Sequence, residues 1–255
     1  MNASPSGSAI TEAAELISNA RHLLAFTGAG ISVESGVPPF RGENGIWNKY
    51  DPEVLDIEYF SLFPERSWKV IREIFYEHFR SVEPNPAHYF LAQLQKTGLL
   101  KALITQNIDN LHQKAGSTGV IEYHGNSFYL RCTHCGKKFE SSEFDITTSD
   151  PRCPNDQTIL KPDFVFFGEA IPEDASVRAM EEALRADVLL VIGSTGEVYP
   201  AGALPKMARN NGARIIEINP QRTTFTHSVT HLFLQGKAGE ICTELGRSIK
   251  YPKAI

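Results

Sequence analysis

The 255-residue chain lacks any uninterrupted apolar run near the ~20 residues that a membrane-spanning helix needs. It also lacks an excess of positive charge, since its formal net charge is −5, and nucleic acid is bound through clustered Lys and Arg. The first ten residues, MNASPSGSAI, lack the basic start and apolar stretch of a signal peptide. These absences predict a cytoplasmic protein that contacts neither a membrane nor nucleic acid directly.

Cysteine is scarce, and its four occurrences are unevenly placed. Three of them, Cys132, Cys135 and Cys153, fall within 22 residues, whereas Cys242 lies far away in a predicted helix. Disulfides are rare in the reducing cytoplasm. The three neighbours are therefore better explained by a metal site, and Cys242 by a small buried side chain.

The segment RCTHCGKK has the C-x-x-C of a zinc clip, and a second C-x-x-C should follow it. Seventeen residues separate Cys135 from Cys153, within the usual ~15–20, but Asp156 occupies the fourth position. Zinc accepts carboxylate oxygen at about the same distance as histidine nitrogen, although oxygen is a harder ligand than thiolate. We predict a labile structural Zn²⁺ site of Cys132, Cys135 and Cys153 with Asp156 or water, and an outward-facing His134. An empty site is the alternative.

The rest of the chain alternates short apolar strands with amphipathic helices. Strands are predicted in HLLAFTGAGIS, LKALITQNID, 163–169, 187–196 and 214–220, and helices over 9–20 with Thr11 as N-cap, 64–80, 84–100, 172–186, 201–213 and 237–249. This alternation predicts an α/β fold with a doubly wound parallel sheet, and apolar strands such as VLLVIG indicate that helices cover both faces. Residues 128–163 are rich in Cys, Ser, Thr, Asp and Pro, which indicates a small inserted module.

Polar and glycine-rich segments follow these strands, at the sheet edge where α/β proteins bind ligands. After the first strand, Gly28 and Gly30 can bring the backbone close to a pyrophosphate. The dinucleotide fingerprint is incomplete because Val33 stands where a third glycine is expected, so an ordinary strand-to-helix turn is the alternative. At the end of a later strand, Glu217 and Asn219 have a spacing that suits contact with a ribose hydroxyl.

A second polar group follows the strand in LKALITQNID. Gln106, Asn107 and Asp109 can point into one cleft, although a helix cap formed by Asn107 or Asp109 explains them equally well. Further along, His124 precedes Gly125 near the start of the inserted module. A single histidine is more often structural than catalytic, so these positions alone do not define a site.

The order of these segments is more specific than any one of them. The chain contains GAGIS…SGVPPFRG, TQNIDNLH, YHG, a C-x-x-C, DFVFFGE, GST…VYPA and INP in this sequence, from about Leu23 to Leu245. This ordered set resembles the sirtuins, the NAD-dependent protein deacylases. The resemblance implies a large Rossmann-like NAD-binding domain over 1–33, 88–127 and 164–255. It also implies a small domain over 34–87 and 128–163, made of a helical module and a zinc module.

The resemblance carries site roles onto matching positions of this chain. Catalytic roles fall on His124, Asn107 and Asp109. Contacts with the co-substrate NAD fall on Gly28, Ala29, Gly30, Ser32, Pro38, Phe40, Arg41, Gln106, Asn107, Asp109, His124, Gly193, Ser194, Asn219 and Ala238. Contacts with an acyl-lysine peptide fall on the strand Val165, Phe166, Phe167, Gly168 and Glu169 and on the facing loop residues Val198 and Tyr199. Edge pairing of this kind demands little of the peptide's sequence.

The implied reaction gives deacylated lysine, nicotinamide and O-acetyl-ADP-ribose. Asn107 and Asp109 hold nicotinamide while the acetyl oxygen attacks the ribose. His124 then accepts a proton from the ribose hydroxyls, a role that suits an imidazole titrating near neutrality. A mono-ADP-ribosyltransferase and a non-catalytic NAD or ADP-ribose sensor are the rival functions, and the acidic balance disfavours a zinc-ribbon nucleic-acid binder.

Two departures from the family pattern concern the substrate. The branch that prefers succinyl- and malonyl-lysine carries a Tyr and an Arg at positions that match Ile71 and Ile74 here, so we predict neutral acyl groups, acetyl first. The loop GSTGEVYP contains Gly196 and Glu197 where the family more often has apolar residues. Glu197 either favours basic substrates or is a solvated loop carboxylate.

Overall fold

The computed structural model describes residues 7–40, 45–77 and 81–251. Within them the strands are β1 (Leu23–Thr27), β2 (Leu100–Thr105), β3 (Ile121–Glu122), β4 (Gly125–Arg131), β5 (Lys138–Glu140), β6 (Lys161–Phe164), β7 (Val188–Ile192), β8 (Arg214–Asn219) and β9 (Leu232–Gln235). The α-helices are α1 (Gly7–Asn19), α2 (Ile57–Leu62), α3 (Pro64–Ile71), α4 (Pro86–Lys96), α5 (Leu111–Lys114), α6 (Glu173–Arg185), α7 (Ala203–Asn210), α8 (Thr224–Ser228) and α9 (Ala238–Ser248). Short 3₁₀ helices cover Ala29–Ser35, Ile46–Asn48, Pro52–Leu55 and Ser141–Glu143, and a π-helical stretch covers Arg72–Glu77.

The larger sheet has six strands in the order β3-β2-β1-β7-β8-β9, and every pair is parallel. Numbered by chain order within this sheet, the strand order is 3-2-1-4-5-6, which reverses direction between β1 and β7. All residues of these two central strands are buried, as their apolar sequences LLAFT and VLLVI require. The predicted doubly wound sheet is confirmed.

Helices cover both faces of this sheet. On one face α1, α4 and α9 pack against it, with Ile17, Leu91 and Leu245 fully buried. On the other face α6, α7 and α8 form a separate core that contains Ala179 and Phe225. Cys242 lies completely buried in the first core, as predicted for a small apolar side chain. None of the described helices is long and apolar enough to cross a membrane.

A smaller antiparallel sheet, with strand order β5-β4-β6, packs on helices α2 and α3. Their shared core includes Trp68, Phe75, Leu130 and Phe164. The indole nitrogen of Trp68 donates a hydrogen bond to the carbonyl of Leu160 at 2.7 Å. One core therefore joins the helical segment before α4 to the cysteine-containing segment.

The structure corrects the predicted start of the first helix and the predicted course of the helix over 64–80. Helix α1 begins at Gly7, and the Thr11 hydroxyl donates to the Gly7 carbonyl inside the helix, so Thr11 is not the N-cap. Helix α3 ends at Ile71 and continues as the π-helical stretch to Glu77. Residues 78–80, and with them the predicted apolar position Phe79, lie outside the described residues.

The predicted strand over 163–169 ends at Phe164. Beyond it the backbone turns, because Gly168 has a φ of +85° and the Glu169 side chain accepts a hydrogen bond from the Phe166 amide at 2.7 Å. The Phe166 amide and carbonyl are both used within this segment, and Phe167 forms only an isolated parallel bridge with Asp56. The segment after β6 is therefore a turn with one bridged residue and not a continuous strand.

Candidate active site

The loops after β1 and β7 meet where the strand order reverses. The Gly28 amide donates to the Ile192 carbonyl at 3.0 Å, and the Gly30 amide donates to the Gly193 carbonyl at 2.9 Å. A Cβ on Gly30 would lie 2.6 Å from the Gly193 Cα, and one on Gly193 would lie 2.2 Å from the Ile31 nitrogen. No side chain fits in this crossing. It leaves bare backbone at the ligand edge of the sheet, as close approach to a pyrophosphate requires.

The missing third glycine has a local explanation. In the full fingerprint that glycine lets a helix pack closely on the strand. Here the residues Ala29–Ser35 form a 3₁₀ helix, and Val33 is 45% exposed on its outer side. No close packing occurs at position 33, so a side chain is tolerated there.

Gln106 connects three parts of the candidate site. Its amide donates to the Thr27 carbonyl at 3.0 Å, and its side-chain nitrogen donates to the Ser194 hydroxyl at 2.9 Å. Its carbonyl faces the ring of His124. The loops after β1, β2 and β7 are thereby fixed relative to His124.

Asn107 and Asp109 form a buried group with Ser32. The Ser32 hydroxyl donates to one carboxylate oxygen of Asp109 at 2.7 Å, and the Asn107 side chain donates to Ser32 and to the Gly28 carbonyl, both at 3.2 Å. The other Asp109 oxygen accepts from the Leu111 amide at 3.0 Å. Burial raises the pKa of Asp109, and these hydrogen bonds oppose the rise. The N-cap of α5 is Asn110, so neither Asn107 nor Asp109 is the predicted N-cap, although the Asp109 side chain accepts from the first amide of that helix.

His124 is held with a defined tautomer. Its Nδ1 lies 3.1 Å from the Gln106 carbonyl. A carbonyl can only accept, so the neutral ring carries its hydrogen on Nδ1 and has a lone pair on Nε2. Burial lowers the pKa of His124 below its usual 6.5, which favours this neutral form. The backbone is fixed as well, since the His124 carbonyl accepts from the Val165 amide at 2.8 Å.

Two further histidines lie behind this group and were missed by the sequence analysis. The rings of His88 and His112 meet edge to face at 4.9 Å. His88 faces the Ser32 hydroxyl at 3.5 Å, and His112 contacts the Thr27 hydroxyl at 2.9 Å. Burial lowers the pKa of His88 to about 4 and also lowers that of His112. The sequence gives little sign of this pair, because each histidine lies in a short helix, where a polar residue is ordinary.

At the other end of the cleft, Asn219 and Ser194 lie together at the ends of β8 and β7. The Asn219 side chain donates to the Ser194 carbonyl at 3.0 Å. Ala238 is buried at the start of α9, where Glu34 accepts a hydrogen bond from the Gly239 amide at 2.6 Å. These contacts bring the predicted adenosine-end positions to the same edge of the sheet as the glycine crossing.

Glu217, which the sequence placed near a ribose, is engaged within the protein. It is fully buried, and three threonine hydroxyls donate to its carboxylate at 2.6 to 2.8 Å, from Thr223, Thr226 and Thr230. The carboxylate therefore anchors the turn around α8. Of Glu217 and Asn219, the two candidates for the ribose contact, Asn219 lies beside Ser194.

The segment after the 3₁₀ helix carries the remaining predicted NAD contacts. Pro38 is half-buried, and the Phe40 ring packs at 5.5 Å from the Trp47 ring and 6.3 Å from that of Phe75. Phe40 thus packs on the helical segment before α4. Arg41 lies outside the described residues.

The predicted peptide-binding segment is attached on both sides. Next to the Val165 contact with His124, the Phe167 amide donates to the Leu55 carbonyl at 2.8 Å, and its carbonyl accepts from Ile57 at 3.0 Å. Phe166 is buried, whereas Phe167 is 44% exposed. The segment therefore spans from His124 to the helical segment at α2.

The facing loop contains Val198 and Tyr199. The Val198 carbonyl accepts from the Gly202 amide at 2.8 Å, and Val198 is half-buried. Tyr199 is 60% exposed, and its hydroxyl accepts a hydrogen bond from Lys206 at 2.6 Å. Glu197 is exposed, as either explanation of that residue requires.

The predicted zinc ligands come together after β4. One ligand atom from each of Cys132, Cys135, Cys153 and Asp156 lies within 4.8 Å of the others. Three thiols and a carboxylate at this separation suit a tetrahedral zinc ion. The Thr158 amide donates to Asp156 at 3.0 Å and holds the pKa of this carboxyl well below its usual range, so it is ionised as a ligand must be. The side chain of His134 is 76% exposed, as predicted, but its Nδ1 lies 3.1 Å from Asp156.

Comparison with known proteins agrees with this geometry. A sequence model of the Sir2 family matches residues 28–200. A protein of Thermococcus kodakarensis described as an NAD-dependent protein deacylase is 44% identical over 245 residues, covering 93% of this chain and 95% of that protein. An Archaeoglobus fulgidus protein described as NAD-dependent protein deacylase 1 is 43% identical, with 92% of this chain and 95% of that protein covered.

Solved structures show the same similarity. A Sir2 homologue in complex with NAD has a TM-score of 0.87 and 41% identity, covering 97% of this chain and 95% of its own. A Sir2 variant solved with deacetylated p53 peptide and 3′-O-acetyl-ADP-ribose has a TM-score of 0.89 and 36% identity, covering 94% of this chain and 99% of its own. The resemblance to the sirtuins is therefore confirmed over nearly the whole chain.

Proposed function

The chain belongs to the Sir2 family, and on this premise we propose that it removes acetyl groups from protein lysines with NAD as co-substrate. One water is consumed, and the products are the free lysine, nicotinamide and O-acetyl-ADP-ribose. One observation supports this function for the chain itself. The neutral His124 ring has an unprotonated Nε2, and it lies at the same edge of the sheet as the glycine backbone of the loops after β1 and β7. A base and a dinucleotide site are the two parts that the reaction needs.

The cleft fits NAD by its shape and by its donors. Gly28, Gly30 and Gly193 let the loops after β1 and β7 touch, because a Cβ at any of them would meet the facing backbone at 2.8 Å or less, and we propose that this bare backbone contacts the pyrophosphate. Toward one end, Ser194 and Asn219 offer polar groups for the adenosine, with Ala238, Ala29, Pro38, Phe40 and Arg41 completing the proposed contacts. When bound, NAD supplies a nicotinamide–ribose bond that the positive charge of the ring activates.

Asn107 and Asp109 are proposed to hold the nicotinamide. Both are buried and are fixed by Ser32, so their positions are set before any ligand arrives. Preorganised polar groups cost no reorganisation during the reaction. Their role is to orient the nicotinamide for departure.

His124 is the proposed general base. The Gln106 carbonyl fixes the proton on Nδ1, so Nε2 is the atom that accepts a proton from a ribose hydroxyl. A lowered pKa keeps the ring neutral and able to accept at pH 7. The tie from Val165 to the His124 carbonyl couples this base to the segment that we propose binds the substrate.

The acyl-lysine peptide is proposed to lie between residues 165–169 and the loop at Val198 and Tyr199. Backbone pairing at such an edge holds a peptide with little demand on its side chains. This cleft separates a proposed NAD-binding domain (1–33, 88–127, 164–255) from a proposed small domain (34–87, 128–163). Ile71 and Ile74 are both buried and offer no charge to an acidic acyl group, which supports acetyl and longer neutral chains as substrates.

Zn²⁺ is proposed to have a structural role, held by Cys132, Cys135, Cys153 and Asp156. Its part is to fix the loops around β5, and no step of the reaction passes through it. Location in the cytoplasm and the absence of direct nucleic-acid binding remain predictions from the sequence. Cell fractionation and a salt titration of DNA binding test them.

The function is tested by incubating the protein with NAD and an acetyl-lysine peptide and weighing the products by mass spectrometry. We expect deacetylated peptide, nicotinamide and O-acetyl-ADP-ribose in equal amounts. Free acetate without the ADP-ribose ester would indicate simple hydrolysis instead. ADP-ribose attached to protein would indicate ADP-ribosyl transfer. A parallel succinyl-lysine peptide tests the acyl preference, and turnover equal to that of the acetyl peptide would contradict it.

A further inference from the structure

Lys161, at the start of β6, has an unusual environment for a lysine. Its side chain is only 6% exposed. The ammonium donates to the carbonyls of Pro162 at 2.8 Å and Phe164 at 2.7 Å, and it contacts Glu169 at 2.9 Å. An ammonium has three hydrogens to donate, so these three acceptors satisfy it completely. It also lies 4.0 Å from the centre of the Phe166 ring, within the range of a cation–π contact.

The charge of Lys161 depends on Glu169. Burial lowers the pKa of Lys161, and the attraction of the nearby Glu169 carboxylate opposes this. Removing one partner of a buried pair leaves the other charge without compensation, which costs more than removing both. The two residues therefore act as a unit, and that unit can be tested by comparing single with double substitutions.

Glu169 shapes the turn that follows β6. The same carboxylate oxygen that contacts Lys161 accepts a hydrogen bond from the Phe166 amide at 2.7 Å. The Glu169 amide in turn donates to the Phe166 carbonyl at 3.1 Å, and Gly168 between them has a φ of +85°. The turn over 166–169 is thus closed by a side chain whose position Lys161 fixes.

This turn is the central part of the proposed peptide-binding segment. Its first residue neighbours Val165, whose amide reaches the His124 carbonyl, and Phe167 makes two backbone hydrogen bonds to the chain before α2. A change in the turn would therefore move the edge that pairs with the substrate. The glycines of the proposed NAD site, Gly28, Gly30 and Gly193, lie in the loops after β1 and β7. None of the hydrogen bonds described for Lys161 and Glu169 reaches them.

We propose that Lys161 is a positioning residue for the acyl-lysine peptide, which acts by holding Glu169 and thereby the shape of residues 165–169. The proposal rests on the deacylase function proposed above and adds to it a residue outside the cleft. Lys161 does not touch the reacting atoms. Its effect should fall on peptide binding and leave NAD binding unchanged.

The test compares Lys161→Met with the double variant Lys161→Met/Glu169→Gln. For Lys161→Met we expect the KM for an acetyl-lysine peptide to rise at least ~10-fold, with the KM for NAD within about twofold of the parent. The double variant should recover part of the loss, because glutamine still accepts from the Phe166 amide and leaves no unpaired charge. Lys101→Met is the matched control, since this lysine on β2 is exposed and its ammonium donates to the nearby Gly98 carbonyl.

A binding measurement separates failure of this proposal from failure of the proposed function. Fluorescence anisotropy of a labelled acetyl-lysine peptide, without NAD, should show the same weakening in Lys161→Met. If the parent turns over the peptide and Lys161→Met keeps its peptide KM and affinity within twofold, Lys161 has only a structural role and the proposal is overturned. If Lys161→Met does not fold, Glu169→Gln takes its place, because it also leaves one partner of the buried pair uncompensated. A peptide KM and a peptide affinity within twofold of the parent would then overturn the proposal. A parent without turnover would instead refute the deacylase function.

Discussion

The cleft floor and the cysteine cluster reach their geometry by different routes. Gly28, Gly30 and Gly193 are fixed by the ends of β1 and β7, whose residues are all buried in a six-stranded sheet. The cysteine cluster lies at the margin of the smaller core: Cys132 and Cys153 are fully buried in that core, whereas Cys135 is exposed and Asp156 is half-buried. One site is therefore enclosed by the core of the larger sheet, whereas the other has two ligands in the smaller core and two toward the surface.

This difference indicates what each site loses when its ligand is absent. Sites formed by buried parallel strands persist without ligand, because the packing of the strands stabilises them. A small metal module gains much of its folding free energy from the ion. The NAD cleft is thus expected to be preformed, and the segment from 128 to 163 is expected to depend on Zn²⁺.

The largest effect is expected at the chemical end of the cleft. His124→Ala should lower kcat by about 10²- to 10⁴-fold, the usual contribution of a general base, while NAD affinity changes little. Steady-state kinetics and calorimetric NAD titration measure the two quantities. His227→Ala, an exposed histidine on α8, is the matched control, and near-normal turnover by His124→Ala would remove His124 from the mechanism.

A somewhat smaller effect is expected when a side chain is added at Gly30, where the loops after β1 and β7 touch. A Cβ at Gly30 would meet the Gly193 backbone at 2.6 Å, and overpacking of this kind costs about 1–3 kcal/mol. We expect the two loops to move apart to relieve this clash, so NAD must bring them back on binding, and a cost of that size lowers NAD affinity by about 5- to 150-fold in Gly30→Ala. In Gly7→Ala a Cβ meets nothing within 4 Å, so this control should bind NAD normally, and equal affinities in both variants would show that the crossing is not the NAD site.

On the side of the cysteine cluster, Asp156→Cys should tighten zinc binding without changing the reaction. Thiolate is a softer ligand than carboxylate, and changes around a zinc site alter affinity by on the order of 10-fold. Competition with a chromophoric chelator gives the zinc affinity of each variant. Ser142→Cys adds a thiol elsewhere in the same module, and a similar gain in that control, or none in Asp156→Cys, would exclude position 156 as a ligand.

The smallest effect concerns pH. Because burial lowers the pKa of His124 below 6.5, the ring is already neutral at pH 7, and further base cannot increase its neutral fraction much. We expect the acid limb of kcat to lie below pH 6.5 and the rate to change by less than about twofold between pH 7 and 8. An acid limb centred above pH 7 would contradict the assignment of this group as the base.

Much of the fold could be predicted because it rests on local patterns. The apolar strands at 188–192 and 214–219 stand out in the sequence, and the spacing of the cysteines gave the cluster with Asp156 in its fourth position. The turn over 166–169 could not be predicted, since a side chain closes it. Lys161 was missed for the same reason: its partners are carbonyls and a carboxylate that only the fold brings together.

The difference between the two regions is tested most directly by hydrogen exchange before and after zinc removal with a chelator, read together with NAD affinity. We predict that residues 128–163 lose protection while β1 and β7 keep theirs, and that the NAD dissociation constant stays within about threefold. Loss of protection in β1 and β7 together with loss of NAD binding would contradict this, because the cleft would then depend on the ion as much as the cysteine cluster does.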